Sequence, residues 1–259
     1  MRLDYFLLDP TGNITILVTS PVPVEKQAYA AARLMAREQN AEQVGFLSSA
    51  PSCDIALRMA GGEFCGNAAM CSAVIAADRA SLTEGRMRVR VSGAEEPVTA
   101  QVSLLKDGSW EGTVDMPKSI SCMDMMLPEE GICPVVSFQG ISHVIVTREI
   151  PPQRAEILSR SWCSHLGADA LGIMFLDPRT MRLKPLVCVP AAGTLCWENS
   201  CASGTAAVGV YLAREAGGEA SAVIRQPAGE LAIHAGADGS LRLTGSVRIL
   251  YRKAVEMVL

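Results

Sequence analysis

Two cysteines in this sequence sit where acid–base chemistry could be done. Cys65 lies in "GGEFCGNAAM" (61–70), behind two glycines and an acidic residue and ahead of small and apolar residues at helical spacing. Cys201 lies in "WENSCASGTAAVGV" (197–210), with the same kind of continuation. Each falls at a turn that opens a helix. The unpaired amides and dipole of a helix N-terminus lower a nearby thiol's pKa, so thiolate is expected near neutrality. The same amides form an anion site that suits a carboxylate. Two such units facing one bound molecule would set an acid and a base on opposite sides of a stereocentre. One thiolate would remove a proton and one thiol would return a proton to the other face. A reaction whose substrate and product are mirror images fits that arrangement. Neither GxxxxGK[ST] nor a clean GxGxxG is present, so the glycines do not read as a phosphate loop.

The elements that must position these cysteines come as two copies. Each cysteine is followed 28 residues later by a glycine, Gly93 in "VSGAEEPVTAQV" and Gly229 in "QPAGELAIHA". "KDGSWEGTVDM" (106–116) answers "ADGSLRLTGSV" (237–247), and "AEQVGF" (41–46) answers "ADALGI" (168–173). In the first copy, periodicity predicts strands at 5–8 and 13–19 around a turn at Asp9–Gly12, a helix over 24–40, and strands at 43–48 and 53–59. A helix from about 66 to 79 and strands near 87–92, 98–105 and 110–116 complete it. The second copy has strands at 135–139 and 142–147, a proline-initiated helix over 151–166, and strands at 170–177 and 183–190. It closes with a helix from about 202 to 215 and strands at 221–225, 230–235 and 241–250. The helices that follow the cysteines are apolar nearly all round, which places strands on several sides of each. The fold class is therefore α+β: two pseudo-symmetric domains, 1–117 and 118–259, each a curved sheet or partial barrel around a central helix, with the boundary near Met116 to Cys122.

Composition narrows the function. With 49% hydrophobic and 19% charged residues the 259-residue chain has the balance of a globular protein with a full core. A net charge of −4 gives no basic footprint for nucleic acid or an anionic membrane. No apolar run approaches the ~20 residues of a membrane span. Asp4 and the Asp9-Pro10 break interrupt any signal-peptide core, so the expected location is cytoplasmic. Nine cysteines with no CxxC pair argue against a disulfide framework or a zinc ribbon. Cys53, Cys71, Cys122, Cys133, Cys163, Cys188 and Cys196 read as small core residues. His143, His165 and His234 show no ligand spacing, so no metal is expected.

"EFCGNAAM" and "ENSCASGTAAVGV" resemble the two cysteine motifs of cofactor-independent amino-acid racemases and epimerases with the diaminopimelate epimerase fold. The resemblance also draws on "DPTGNITILV" (9–18), "EQVGF" (42–46), "VSG" (91–93) and "QPAG" (226–229), and so covers most of the chain. Within that family it tightens toward the histidine racemases that serve staphylopine biosynthesis. It implies an isomerase that needs no pyridoxal phosphate or other cofactor, with Cys65 and Cys201 as base and acid. The amides of Gly66, Asn67, Ala202 and Ser203 would hold the α-carboxylate, and a homodimer is the implied assembly. Diaminopimelate epimerases carry a Glu-Arg pair before the second cysteine, the arginine gripping the distal carboxylate. "PAAGTLCWENSC" has no arginine, which argues against that substrate. The acids and amides present instead are Glu42, Gln43, Glu63, Glu198 and Asn199. Glu198 suits the α-ammonium, and Glu42, with Asn13 lining the same pocket, suits a basic or hydrogen-bonding side chain such as imidazole. The expected activity is racemisation of histidine, with another basic amino acid or diaminopimelate as alternatives. An isomerase of the phenazine-biosynthesis type, which uses one carboxylate, and a non-catalytic amino-acid-binding protein are the remaining readings.

Overall fold

The computed structural model describes residues 1–258. The first copy of the repeat runs β1 (Arg2–Pro10), β2 (Thr15–Val18), α1 (Val24–Met35), β3 (Gln43–Ser48), β4 (Ile55–Met59), α2 (Gly66–Arg79), β5 (Glu84–Val91), β6 (Val98–Leu104) and β7 (Trp110–Met116). The second runs β8 (Ser121–Leu127), β9 (Gly131–Phe138), β10 (Ile141–Val146), α3 (Pro152–His165), β11 (Leu171–Asp177) and β12 (Arg182–Val189). A 3-10 turn at Pro190–Ala192, β13 (Thr194–Trp197), α4 (Ala202–Ala216), β14 (Ala220–Gln226), β15 (Gly229–Ala235) and β16 (Leu241–Glu256) follow.

The chain forms two compact units. Unit 1 holds Met1–Asp115 and the residues from Thr244 onward, and unit 2 holds Met116–Leu243. The end of the chain therefore belongs with its beginning, which a division at 117/118 alone does not capture. Pairing is the cause: β16 runs antiparallel to β1 from Arg2↔Glu256 to Pro10↔Val247. Glu38 secures it, accepting hydrogen bonds from the hydroxyls of Tyr5 and Tyr251 and pairing with Lys253 at 3.1 Å.

In unit 1 the order β1-β2-β3-β4-β5-β6-β7-β16 returns to β1, closing an eight-stranded barrel. Closure leaves no free edge. Helix α2 lies inside it, packed on β1 through β6, and every residue from Gly66 to Ile75 is buried. Burying side chains such as Met70, Val74 and Ile75 contributes about 1.5–3 kcal/mol each. Helix α1 covers the outside through Ala30, Ala31 and Leu34, which pack with Leu3, Tyr5, Ile16 and Phe46. It stops at Met35, short of the Asn40 that its periodicity suggested, and 36–40 form turns.

Unit 2 repeats the pattern strand for strand. β9–β10 is antiparallel like β1–β2, β10–β11 parallel like β2–β3, β11–β12 antiparallel like β3–β4, and β14–β15 antiparallel like β5–β6. α4 takes the inner place against β9, β10, β14 and β15, and α3 the outer one, with Ala155, Leu158 and Trp162 on Val144, Leu171 and Ile173. Two strands here depart from the sequence expectation. β8 pairs with β9 across a turn at 128–130, although "SCMDMML" shows no clean alternation. β13 pairs with β12 and carries the chain toward Cys201. Because β13 is a short strand at the surface, Cys196 is exposed and not a core residue. Cys71, Cys133, Cys163 and Cys188 are buried as expected, and Cys53 and Cys122 are half-buried. No helix among the described residues is long and apolar enough to cross a membrane.

Candidate active site

Cys65 and Cys201 are the N-cap residues of the two inner helices. Their backbones match, φ −134° and ψ 111° at Cys65 against φ −123° and ψ 110° at Cys201, both extended as an N-cap requires. Each sulfur accepts the amide three residues on: Cys65 Sγ from Ala68 N–H at 3.5 Å, Cys201 Sγ from Gly204 N–H at 3.3 Å. The amides just ahead of these, at 66–67 and 202–203, belong to the first turn, where no helical carbonyl is available to them. Free amides of this kind suit an anion such as a carboxylate.

The approach to each cysteine is fixed by the turn found 28 residues later. In unit 1, Ser92 Oγ donates to the Glu63 carbonyl at 2.8 Å, and Gly93 has φ +74°. A Cβ on Gly93 would stand 2.3 Å from the amide nitrogen of Phe64, so only glycine lets this turn reach the segment before Cys65. In unit 2, Ala228 N–H donates to the Asn199 carbonyl at 3.2 Å. Gln226 goes further and accepts the Cys201 amide itself on Oε1 at 2.7 Å, while its Nε2 reaches Thr205. Gln226 and Thr205 were not anticipated as site residues. The signal was the "QPAG" block, whose first residue differs from its repeat counterpart, Arg90.

Other polar residues collect on the side of each unit that carries its cysteine motif. In unit 1, Asn13 is buried after the turn at Asp9–Gly12, where Asp9 accepts the Gly12 amide and Thr11 has φ 55°. Such left-handed backbone in a non-glycine residue is strained and clusters at functional sites. Asn13 Nδ2 donates to Glu42 Oε2 at 2.7 Å, so this expected pair is together. Gln43 opens β3 opposite Thr15. Among the described residues, the Oδ1 atoms of Asn13 and Asn67 are buried without hydrogen-bond partners, which leaves two acceptors for a ligand's N–H groups. Glu63 is exposed and curls over Gly61. In unit 2, Glu198 hydrogen-bonds the Cys201 side chain, Ser203 Oγ lies 3.6 Å from its sulfur, and Asn199 is exposed.

The electrostatics correct one expectation. A helix N-terminus was expected to lower the thiol pKa, but Cys201 is pushed well above the ordinary thiol value. Burial is the main cause, and the Glu198 carboxylate beside it adds to the effect. The Ser203 hydroxyl and Gly204 amide oppose both without overcoming them. Burial and the neighbouring carboxylate thus both favour the neutral thiol at Cys201. Cys71, fully buried in α2, is raised by the same desolvation and is unreactive.

The family model of the histidine racemase CntK N-terminal domain matches residues 2–253. The chain belongs to the histidine racemase family. Histidine racemases from Fusobacterium nucleatum and Staphylococcus aureus are 33% and 30% identical to it, over 81% of this chain and 80% and 79% of theirs. Membership makes the chain an isomerase of the racemase class. More distant solved structures share the fold. A predicted epimerase from Pseudomonas aeruginosa has a TM-score of 0.72 at 15% identity, covering 99% of this chain and 100% of its own. A probable proline racemase from Agrobacterium radiobacter has 0.71 at 13%, covering 99% and 93%. The α+β family fold is thus the one the residues implied, two repeated units each wrapped around a cysteine-capped helix.

Proposed function

We propose that this chain racemises histidine by two-base proton exchange between Cys65 and Cys201, without a cofactor. The observation that carries the reading is the matched capping of two repeated inner helices by cysteine, with the same backbone angles and the same amide on each sulfur. In this reading both cysteines act on one bound molecule. The substrate's α-carboxylate is held by amides of 66–67 and 202–203. Their dipoles also stabilise the negative charge that spreads onto the carboxylate as the α-proton leaves. Cys201 enters as the thiol, consistent with its burial and its Glu198 neighbour. Cys65 enters as the thiolate and takes the α-proton. Cys201 then delivers its own proton to the opposite face, leaving Cys65 as thiol and Cys201 as thiolate. The return reaction exchanges their parts.

Histidine is preferred on two grounds beyond family membership. The second cysteine block has no arginine for a distal carboxylate. The Asn13–Glu42 pair offers a carboxylate and an unpartnered amide oxygen, which an imidazole N–H can satisfy. Glu198 would receive the α-ammonium. The test is incubation of purified protein with L-histidine in deuterium oxide, with no pyridoxal phosphate added, alongside a panel of other amino acids. Deuterium at the α-carbon together with D-histidine is the expected outcome. No exchange and no loss of optical rotation with any member of the panel would overturn the racemase mechanism, and turnover of a different amino acid alone would overturn the substrate.

A further inference from the structure

We propose that Gln226 and Thr205 are positioning residues that act as one unit to aim the Cys201 thiol. This rests on Cys201 being a reacting group, as proposed above. Three hydrogen bonds form a closed ring: Cys201 N–H to Gln226 Oε1 at 2.7 Å, Gln226 Nε2 to Thr205 Oγ1 at 2.9 Å, and Thr205 Oγ1 to the Cys201 carbonyl at 2.7 Å. Every proton in the ring has one possible place. The Cys201 amide can only donate, so the facing atom of Gln226 must be its oxygen, and its NH2 must point at Thr205. The hydroxyl then accepts from Gln226 and spends its single proton on the carbonyl. Neither the amide orientation nor the hydroxyl rotor is left free.

The ring grips the backbone on both sides of the Cys201 Cα. It fixes φ and ψ, and with them the direction of the Cα–Cβ bond that carries the sulfur. Thr205 is fully buried and Gln226 is 8% exposed, so water does not compete for these groups. Helix formation alone does not require the ring. The Thr205 amide already bonds the Cys201 carbonyl at 3.0 Å, as any helix would arrange. The corresponding residues in unit 1, Ala69 and Arg90, cannot build it. Alanine has no hydroxyl, and Arg90 is exposed and turned to the Glu95 carbonyl. The ring is thus an addition made at one cysteine of the pair.

A positioning role separates from a structural one in kinetics. Gln226→Leu and the near-isosteric Thr205→Val should each lower kcat for histidine racemisation on the order of 10- to 100-fold, the effect of misplacing a reacting group by about an ångström. KM should stay within about 3-fold, because substrate contacts are untouched. The double variant should fall no more than about 3-fold below the worse single one, since either change opens the same ring. Thr205→Ser should recover most of what Thr205→Val loses. Full kcat in either folded variant, a loss confined to KM, or losses that multiply in the double variant would overturn the proposal. If Gln226→Leu does not fold, Thr205→Val with its serine rescue decides. Cys201→Ala separates this from the underlying reading: if it still racemises, the catalytic assignment has failed. If it is inactive while the ring variants keep wild-type kcat, only the ring proposal has failed.

Discussion

Cys65 and Cys201 occupy the same place in two copies of one fold unit, and their surroundings differ in kind. Both turns hold the carbonyl two residues before the cysteine, but unit 1 uses the Ser92 hydroxyl on Glu63 and unit 2 uses the Ala228 amide on Asn199. Cys65 is half-buried, whereas Cys201 is buried beside a carboxylate and clamped through Gln226 and Thr205. The shared features are those needed to present sulfur and amides to a substrate. The divergent ones gather at Cys201, where burial and the Glu198 carboxylate favour the neutral thiol and the Gln226–Thr205 ring holds the backbone. A two-base reaction asks for that division, because acid and base must share a geometry and differ by one proton.

The comparison breaks most severely if the two cysteines are not equivalent in need. Cys65→Ala and Cys201→Ala are each expected to reduce histidine racemisation by at least the 10²- to 10⁴-fold that a positioned acid or base supplies. Cys71→Ala, a core change, should leave most of it. Polarimetry on the three purified variants checks this, and comparable rates in all three would remove the catalytic distinction. The next effect concerns the proton itself. The Glu198 carboxylate raises the Cys201 pKa, so Glu198→Gln should lower it. Cys201 must be protonated to act as the acid, and the variant's rate should therefore begin to fall at a lower pH on the alkaline side. Its kcat/KM should also drop on the order of 10-fold, as a charge-assisted hydrogen bond to the ammonium is lost. An alkaline limb that does not move, followed by rate measurements from pH 7 to 11, would dissociate Glu198 from the thiol.

A smaller asymmetry lies one turn into the helices. The residue whose amide meets the sulfur is Ala68 in unit 1 and Gly204 in unit 2. A Cβ on Gly204 would lie 2.2 Å from Met174 Sδ and 3.1 Å from Cys201 Sγ. Gly→Ala in a helix is ordinarily worth up to about 1 kcal/mol, but this crowding should outweigh it by about 1–3 kcal/mol. Gly204→Ala is expected to lower the Tm and the rate. Adding Met174→Leu should restore much of both, because it recreates the pair that unit 1 already holds at the matching positions, Ala68 with Leu47. Calorimetry that shows Gly204→Ala unchanged would mean that Met174 moves aside freely.

Much of this was legible in the residues, for reasons that are local. Helices α2 and α4 begin at the residues expected because a cysteine, a glycine-rich or small-residue turn and an unbroken apolar run are all contiguous in sequence. Their enclosure followed from having no polar face. Asn13 and Glu42 were placed in one pocket by the family resemblance, and the parallel neighbours β2 and β3 bring the two side chains together. What could not be read depends on contacts distant in sequence. The Gln226–Thr205–Cys201 ring spans 25 residues and is absent from the other copy, so the repeat itself concealed it. β16 continues from unit 2 into pairing with β1, an attachment that alternation cannot specify. The direction of the Cys201 shift depended on how deeply the thiol is buried, and composition gives dipoles without depth.

The same comparison reaches into the core of each unit. The parallel pair Leu17↔Gly45 in unit 1 has His143↔Gly172 at the matching place in unit 2. Both glycines leave room for the partner side chain: a Cβ on Gly45 would meet Leu17 at 3.1 Å, and one on Gly172 would meet His143 Nδ1 at 2.2 Å. His143 is fully buried, and among the described residues neither ring nitrogen has a hydrogen-bond partner. Burial lowers its pKa to about 3. Between that value and the ~6.5 of an unfolded histidine, the unfolded chain binds a proton that the folded one does not. Stability is therefore lost as pH falls through this window, by about 1.4 kcal/mol per pH unit at most from this group. Above the window its titration contributes nothing. Giving unit 2 the residue of unit 1, His143→Leu, removes both the titration and the unpartnered nitrogens. The variant should gain about 1–2 kcal/mol near pH 7.5, and its advantage over the parent should widen steadily as urea unfolding is repeated from pH 6.5 down to 4.5. An advantage that stays constant over that range would mean that His143 takes up its proton inside the folded unit.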